Sequence, residues 1–470
     1  MIREYKAEEF IIDEEIYSSI EEGEKLAQDK EYVKNLLERS RDFKGLTHRE
    51  AAVLLSVEDE ELVQEMFKVA GEIKERIYGN RIVLFAPLYL SNHCVNNCEY
   101  CGYQHCNSDL LRKKLTQDQI AKEVQALEAM GHKRLALELG EDPINNPIEY
   151  VLESLKTIYS LKFDNGAIRR CNVNIAATTV EEYEMLKDAG IGTYILFQET
   201  YHKPTYENLH PNGPKHNYNW HTTAMHRARA AGIDDVGMGV LYGLYEHKYD
   251  TIALLMHAEH LDKETGVGPH TLSVPRLRPA EGVDTNKYPH MLKDEEFKKL
   301  VAILRITVPY TGIILSTREE ANFREEVLSV GVSQVSAGSC TGVGGYADEN
   351  KIKENTAQFE VSDERSPSEV MRSLCNQGYV PSYCTACYRE GRTGERFMAL
   401  AKSGQIHNVC LPNALLTFKE YLIDYADEET KKVGEKAILK NLETIPNEAA
   451  KEACLKKLER IENGERDLRF

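Results

Sequence analysis

From residue 81 to about residue 340, short apolar runs alternate with amphipathic helical segments, which limits the chain to few architectures. Eight runs read as strands: IVLFAPL (82–88), RLALEL (134–139), NVNIAA (172–177), TYILFQ (193–198), VGMGVL (236–241), HTLSVP (270–275), GIILST (312–317) and SQVSAG (333–338). Strand–helix–strand units of this kind predict an α/β fold with a parallel sheet and helical crossovers. Eight of them over about 260 residues close most simply as a (β/α)8, TIM-type barrel. A doubly wound open sheet is the other architecture the pattern permits. Residues 1–80 carry apolar positions at three- and four-residue spacing, with Thr47 and Glu50 as a capping box, and predict a helical lead-in. Residues 341–470 begin with a Gly-rich polar stretch whose GVGGY lacks the lysine of a phosphate loop. They end in charged surface helices broken at Pro446. The expected organisation is therefore a lead-in (1–80), a barrel (81–340) and a mostly helical C-terminal domain (341–470).

Charge narrows the partners. Lysine and arginine number 58 against 76 aspartates and glutamates, a net charge of −18. With no long basic run, such a chain repels nucleic-acid phosphates, so a small molecule or a protein is the expected partner. No apolar run approaches the roughly 20 residues that span a bilayer. The first residues show no apolar stretch with a cleavage site, so the expected location is the cytoplasm and no membrane is expected.

Eleven cysteines in such a chain suggest metal ligands or buried thiols rather than disulfides. Two groups stand out. CVNNCEYC places Cys94, Cys98 and Cys101 at C-x3-C-x2-C, just past the first expected strand, where barrels of this type carry their active sites. Three thiolates on a short loop can hold three corners of a 4Fe-4S cube and leave the fourth iron open. Structural zinc is the alternative, with His93 or His105 as a fourth ligand. The second group, Cys384, Cys387 and Cys410, is C-x2-C-x22-C and permits the same two readings, with His407 available to zinc. The remaining five cysteines read as small buried hydrophobes.

The first motif, with the aromatic Tyr100 before its last cysteine, resembles the radical S-adenosylmethionine (SAM) superfamily. That resemblance implies that the open iron binds SAM, which is cleaved to methionine and a 5′-deoxyadenosyl radical. It also implies SAM-binding roles for Tyr100 and Tyr103 beside the cysteines, for Gly140, Glu141 and Asp142 after the second strand, and for Gln198, Glu199 and Tyr201 after the fourth. Val240 and Tyr242, after the fifth strand, correspond to the segment that flanks adenine. With SNHCVNNCEYCGY, HPNGPK, GPHTLSVPRLRPA and the second cysteine group, the chain is similar to the HydG family, the tyrosine-cleaving maturases of iron-only hydrogenases, from about residue 45 to about 420. The thiamine-pathway tyrosine lyases resemble its central part but lack the second group.

The HydG resemblance implies a lyase that breaks the Cα–Cβ bond of L-tyrosine. The products are p-cresol and dehydroglycine, and the latter yields carbon monoxide and cyanide for an iron–CO–cyanide synthon. It implies two 4Fe-4S clusters, SAM, and an additional labile iron joined to the second cluster through a bridging cysteine. Partners implied are free cysteine, a ferredoxin or flavodoxin as electron donor, and other hydrogenase maturation proteins. Alternation along GPHTLSVPRLRPA sets His270, Leu272, Val274 and Arg276 on one side of a strand. Six residues at about 3.3 Å span roughly 20 Å. The expectation is that Arg276 and Arg278 hold the substrate carboxylate at the top, while His270 ligates the labile iron at the bottom. A thiamine-type lyase with a structural metal, or a non-catalytic iron–sulfur scaffold, are the competing readings.

Overall fold

The computed structural model describes residues 3–347 and 355–470. Eight parallel strands close into a barrel in sequence order: β1 (Arg81–Ser91), β2 (Arg134–Leu139), β3 (Arg170–Asn174), β4 (Tyr194–Glu199), β5 (Val236–Val240), β6 (Thr271–Ser273), β7 (Gly312–Leu315) and β8 (Gln334–Ser336). The closed parallel barrel was expected, and the open sheet is excluded by β1 pairing with both β2 and β8. Each strand overlaps its expected run; β6 and β8 are the shortest relative to expectation, and Pro269 and Pro275 flank β6.

β1 is the longest strand, and its length has a structural use. Its second half pairs with β2 from Ala86 onward, while Val83–Phe85 pairs with β8. Its first residues, Arg81 to Val83, also pair in parallel with a ninth strand, β9 (Val380–Ser382). That strand lies just ahead of Cys384, so the sheet itself carries the second cysteine group to the N-terminal rim of the barrel.

Side-chain alternation divides the strands between core and lumen. Ile82, Leu84, Ala86 and Leu88 have no exposed surface and face the surrounding helices. Each such large apolar side chain contributes about 1.5–3 kcal/mol by leaving water. Arg81, Val83, Phe85, Pro87 and Tyr89 face inward. The lead-in helices Asp13–Leu26, Lys30–Ser40, His48–Ser56 and Glu60–Tyr78 cover the helices His247–Thr265 and Asp294–Thr307 outside the barrel. Caps at Asp29, Thr47 and Asp59 start three of the four. Among the described residues no helix is long and apolar enough to cross a membrane.

β6 shows where strand parity misleads. Leu272 lies in the core against the helices, whereas Ser273 and Pro275 line the lumen, which the buried Val274 also touches. The side shared by Leu272, Val274 and Arg276 is therefore the outer side. His270 precedes the strand and still reaches the lower lumen.

Candidate active site and lower cysteine chamber

A cavity of about 220 Å³ occupies the C-terminal end of the barrel. Cys94, Cys98 and Cys101 line it together with Tyr100, Tyr103, Gly140, Glu141 and Glu199. The loop after β1 is fixed from several directions. Asn96 Nδ2 donates to Glu141 Oε2 at 2.6 Å, which ties the cysteine loop to the end of β2. Gly140 is required there, because a Cβ would lie 2.4 Å from the His93 carbonyl oxygen. The Tyr100 hydroxyl donates to His210 Nε2 at 2.7 Å, since His210 uses Nδ1 on the Tyr206 carbonyl. Burial pushes the Cys98 thiol up, and the Cys101 thiol up to about 11. Metal binding would release those protons.

β4 ends at a bulge between Phe197 and Glu199, and Glu199 lines the cavity with Ile195 and Phe197. Glu199 has φ 71°, the left-handed region that a non-glycine residue enters at a cost. The next two residues hold it there: Asp250 Oδ1 accepts from the Thr200 hydroxyl at 2.9 Å and from Tyr201 N at 2.7 Å. Glu199 in turn accepts from Lys215 Nζ at 2.7 Å. Burial works against the Lys215 charge, but the Glu199 carboxylate outweighs it, so its pKa lies above the ordinary value.

Other residues expected at the site are placed elsewhere. Asp142 does not line the cavity; it accepts from Ile144 N and Asn145 N and caps its own turn. Gln198 donates to Thr222 Oγ1 at 2.9 Å, and the Tyr201 hydroxyl meets His257 Nδ1 at 2.9 Å, both away from the lumen. Val240 is fully buried, the Tyr242 hydroxyl lies 3.2 Å from Thr251 Oγ1, and Leu241 between them faces the cavity.

Arg276 and Arg278, expected in the lumen, lie away from it. Arg276 lies outside the barrel wall, over the rings of Phe297 and Phe323, with Nε donating to Glu319 Oε1 at 3.0 Å and Nη1 to the Leu292 carbonyl. Arg278 shares the same carboxylate at 2.9 Å. Neither lines the cavity. Glu319 is 1% exposed, so removing its main partner leaves a buried charge. Arg276→Met is expected to lose about 3 kcal/mol of stability, and Arg276→Met with Glu319→Leu to recover most of it. Urea unfolding of both variants checks this.

The arginine that does line the cavity, along with Lys215, is Arg318, inward-facing beyond β7 in the series Ile314, Ser316, Arg318. It makes no ion pair among the described residues, and its guanidinium carbon lies 3.4 Å from the centre of the Phe359 ring. Asn96, Lys215, Arg318 and Glu138 are the site residues that sequence reasoning missed. Lumen parity along β7 would have found Arg318.

Glu138 lines the same cavity and accepts from Asn174 Nδ2 at 2.7 Å. Burial pushes its carboxyl up to about 8. The folded state therefore binds a proton that the unfolded chain releases near pH 4.5, and stability falls as pH rises from there to about 8. Glu138→Gln is expected to remove about 1–2 kcal/mol of the stability difference between pH 5 and pH 8, allowing for water in the cavity. Melts of both proteins at the two pH values test this.

A second, smaller cavity of about 50 Å³ lies at the other end of the barrel. Cys384, Cys387 and His270 line it, with Arg81, Arg134 and Arg170 from the starts of β1, β2 and β3. Cys410, in the helix Ile406–Asp424, packs with Phe397 and Ile406 beside Cys387. A hydrogen bond from Cys410, then Arg81 and Arg392, pull the Cys387 thiol below its ordinary value against the effect of burial. His270 sits with Nδ1 3.4 Å from Asp235 Oδ1 and Nε2 3.4 Å from the Tyr388 hydroxyl. His407 is committed elsewhere, donating from Nε2 to the Arg76 carbonyl at 2.7 Å.

The two cavities abut. On β1, β2, β7 and β8 the wall passes from lower to upper between consecutive inward residues: Val83 to Phe85, Arg134 to Ala136, Gly312 to Ile314, and Gln334 to Ser336. Two residues of strand are about 7 Å. Gly312 keeps this level open, since a Cβ would lie 2.7 Å from Gln334 Nε2.

Family comparisons agree with this architecture. The radical SAM superfamily model matches residues 88–258, and the biotin and thiamin synthesis associated domain matches 273–380. The chain is 31% identical to the 2-iminoacetate synthase of Escherichia coli K12, over 77% of this chain and 93% of that one. A crystal structure of HydG, a maturase of the [FeFe]-hydrogenase, superposes with a TM-score of 0.95 at 63% identity, covering 98% of this chain and all of that one. The chain belongs to the HydG family. HydG of Carboxydothermus hydrogenoformans superposes at 0.83 with 40% identity, over 97% of this chain and 100% of that one. Membership makes this HydG-family chain a radical SAM enzyme and implies a 4Fe-4S cluster and SAM. The donors at the upper cavity fit such a cluster. Three thiols line it together, the donor set that such a cluster takes.

Proposed function

We propose that the chain is a tyrosine lyase of hydrogenase maturation, cleaving L-tyrosine to p-cresol and dehydroglycine at the upper cavity. The second fragment becomes carbon monoxide and cyanide, which join iron at the lower chamber. The observation that carries the reading is the pair of cysteine groups opening on opposite ends of one lumen. A thiamine-type lyase has no need of the lower group.

When bound, the upper cluster and SAM supply the hydrogen-abstracting radical. The chain's own residues bind and orient. Glu141, fixed by Asn96, meets the ammonium of SAM, and Lys215, fixed by Glu199, meets its carboxylate. Arg318, with no anion of its own, receives the carboxylate of tyrosine. A Glu138 that is neutral at pH 7 offers a polar contact without fixing positive charge on the substrate's amino group. Phe197, Leu241 and Tyr103 exclude water.

At the lower chamber Cys384, Cys387 and Cys410 would hold a second 4Fe-4S cluster, and His270 the labile iron bridged to it by cysteine. Their donor chemistry fits, with three thiols and one imidazole around a single small chamber. Anaerobic incubation with SAM, tyrosine and dithionite is expected to give 5′-deoxyadenosine, p-cresol, carbon monoxide and cyanide. Dehydroglycine without the two diatomic products would favour the thiamine-type reaction instead. No 5′-deoxyadenosine at all would leave a scaffold role.

A further inference from the structure

Cleavage of SAM to a radical consumes one electron, which a carrier must deliver to the first cysteine group from outside. The Cys98 side of that group is closed, because Leu209, Leu277 and Tyr288 pack over Cys98 and Tyr100. The inner side is the cavity itself. Cys94, which is half-buried, is covered by the loop that follows β2. A Cβ on Gly140 would lie 2.9 Å from Cys94 Cβ. Asn146 Nδ2 clamps the loop there, donating to the His93 carbonyl at 2.9 Å and to the Gly140 carbonyl at 2.8 Å. At the loop's tip Ile144 is 88% exposed, more than any other large apolar side chain among the described residues, and Pro143 beside it is exposed too. Four residues of chain separate Ile144 from Gly140, at most about 14 Å.

A single exposed isoleucine is ordinary on a protein surface. What sets this one apart is the charge around it. Arg112, Lys113 and Lys114 form the one run of three consecutive Lys or Arg in a chain of net charge −18, and residues 110–117 contain no acid. Arg112 grips the frame of the cysteine loop: Nη1 donates to the carbonyls of Asn92 and Tyr103 at 2.7 and 2.9 Å, and Nη2 to that of Gln104 at 2.6 Å. Lys114 Nζ donates to the carbonyl of Asn145, the neighbour of Ile144, and lies 4.0 Å from the centre of the Tyr150 ring. All these partners are neutral, and among the described residues neither Arg112 nor Lys114 is paired with a carboxylate. The nearby Asp142 is turned into its own loop, accepting from Ile144 N, Asn145 N and Asn145 Nδ2. An apolar tip with cations at its flank therefore lies directly over a cysteine of the first group.

We infer that this face, Ile144 with Arg112, Lys113 and Lys114, is where the electron donor docks, and that the donor is an acidic flavin mononucleotide carrier protein of the flavodoxin class. The exposed edge of a bound flavin ring is apolar, and an acidic carrier frames it with carboxylates, which complements an apolar tip flanked by cations. The small area of the loop suits a transient redox encounter, which buries less surface than a stable complex. The flavin hydroquinone gives one electron to the oxidised cube and becomes the semiquinone, and no atom is transferred. Radical SAM membership alone is needed for this, not the choice of tyrosine as substrate.

The test uses the full chain with its clusters reconstituted and a bacterial flavodoxin as the probe. Binding of the oxidised flavodoxin is measured by titration calorimetry at low and high salt, and electron transfer by the appearance of semiquinone on mixing with the hydroquinone. Wild type is compared with Ile144→Glu, the milder Ile144→Ser, Lys114→Gln, and Leu439→Glu as a distant control on the helix Glu428–Leu442, where Leu439 is exposed. Wild type is expected to bind, and less tightly at high salt. Ile144→Glu should weaken binding at least about tenfold and Lys114→Gln about threefold, each with a slower semiquinone step, while Leu439→Glu changes neither. Dithionite, a small reductant that needs no docking surface, should give 5′-deoxyadenosine at the wild-type rate in every variant. No binding to wild type, equal binding by Ile144→Glu, or equal weakening by Leu439→Glu overturns the inference. So does a dithionite-driven rate that falls together with the flavodoxin-driven one in both Ile144 variants. Binding of an equally acidic ferredoxin but not of flavodoxin overturns the choice of donor. Absent p-cresol with 5′-deoxyadenosine still formed marks failure of the tyrosine reading alone.

Discussion

Cys387→Ala is expected to separate the two halves of the reaction. Formation of p-cresol should stay within about threefold of wild type, while carbon monoxide and cyanide fall at least about a hundredfold, because substitutions at sites without shared partners act independently. The upper cavity shares no lining residue with the lower chamber. Cys387 lies on the short helix Ala386–Arg389, which is tied down independently of its thiol by two Arg389–Asp467 bonds of 2.6 and 2.7 Å. Alanine therefore removes a ligand without releasing the element that carries it. Iron and sulfide should drop by about half, and the electron paramagnetic resonance signal that responds to SAM should remain. If p-cresol disappears while the fold and the SAM-responsive signal persist, the two ends of the lumen do not divide the work as proposed.

Much of this was legible in the sequence, for identifiable reasons. The barrel follows from apolar runs that recur with helices between them, and each run overlaps the strand that forms. The cysteine groups follow from spacing, which a short loop translates directly into proximity. Residues set by the end of a strand were harder. Gln198 and Glu199 are neighbours in one motif, yet alternation sets Glu199 on the cavity side with Ile195 and Phe197 and leaves Gln198 bonded to Thr222. Asp142 resembles its neighbour Glu141 chemically, but its shorter side chain is satisfied by the amides of its own turn. Arg276 was assigned to the lumen because His270 was, and alternation then carried the error along β6. The lumen side is marked by the small Ser273, which leaves room for a cavity where Leu272 would fill it. Lys215 and the second-group placement depended on long-range contacts, a loop folding back from after β4 and a ninth strand added to β1. Neither has a local signature.

The same lumen parity leads to the other large effect, at Arg318. Arg318→Leu is expected to lower kcat/KM for tyrosine by about a hundred- to a thousandfold, the equivalent of roughly 3–4 kcal/mol, mostly through KM. A carboxylate leaving water for this cavity has to be balanced by a cation without a prior partner. Lys215 is taken by Glu199, and Arg276 and Arg278 are taken by Glu319. Arg318 alone of these four is stacked rather than paired, over Phe359, which fixes the plane of its guanidinium while leaving its edge for two parallel hydrogen bonds. Arg318→Lys should therefore recover only part of the loss, because an ammonium cannot make the forked contact. Tyramine, which lacks the carboxylate, separates a binding role from a structural one. Its inhibition constant against tyrosine should be nearly the same for wild type and Arg318→Leu, with the cluster signal intact in both. A tyrosine KM unchanged by the leucine substitution, or a tyramine constant that worsens in parallel, would place the substrate carboxylate elsewhere in the cavity.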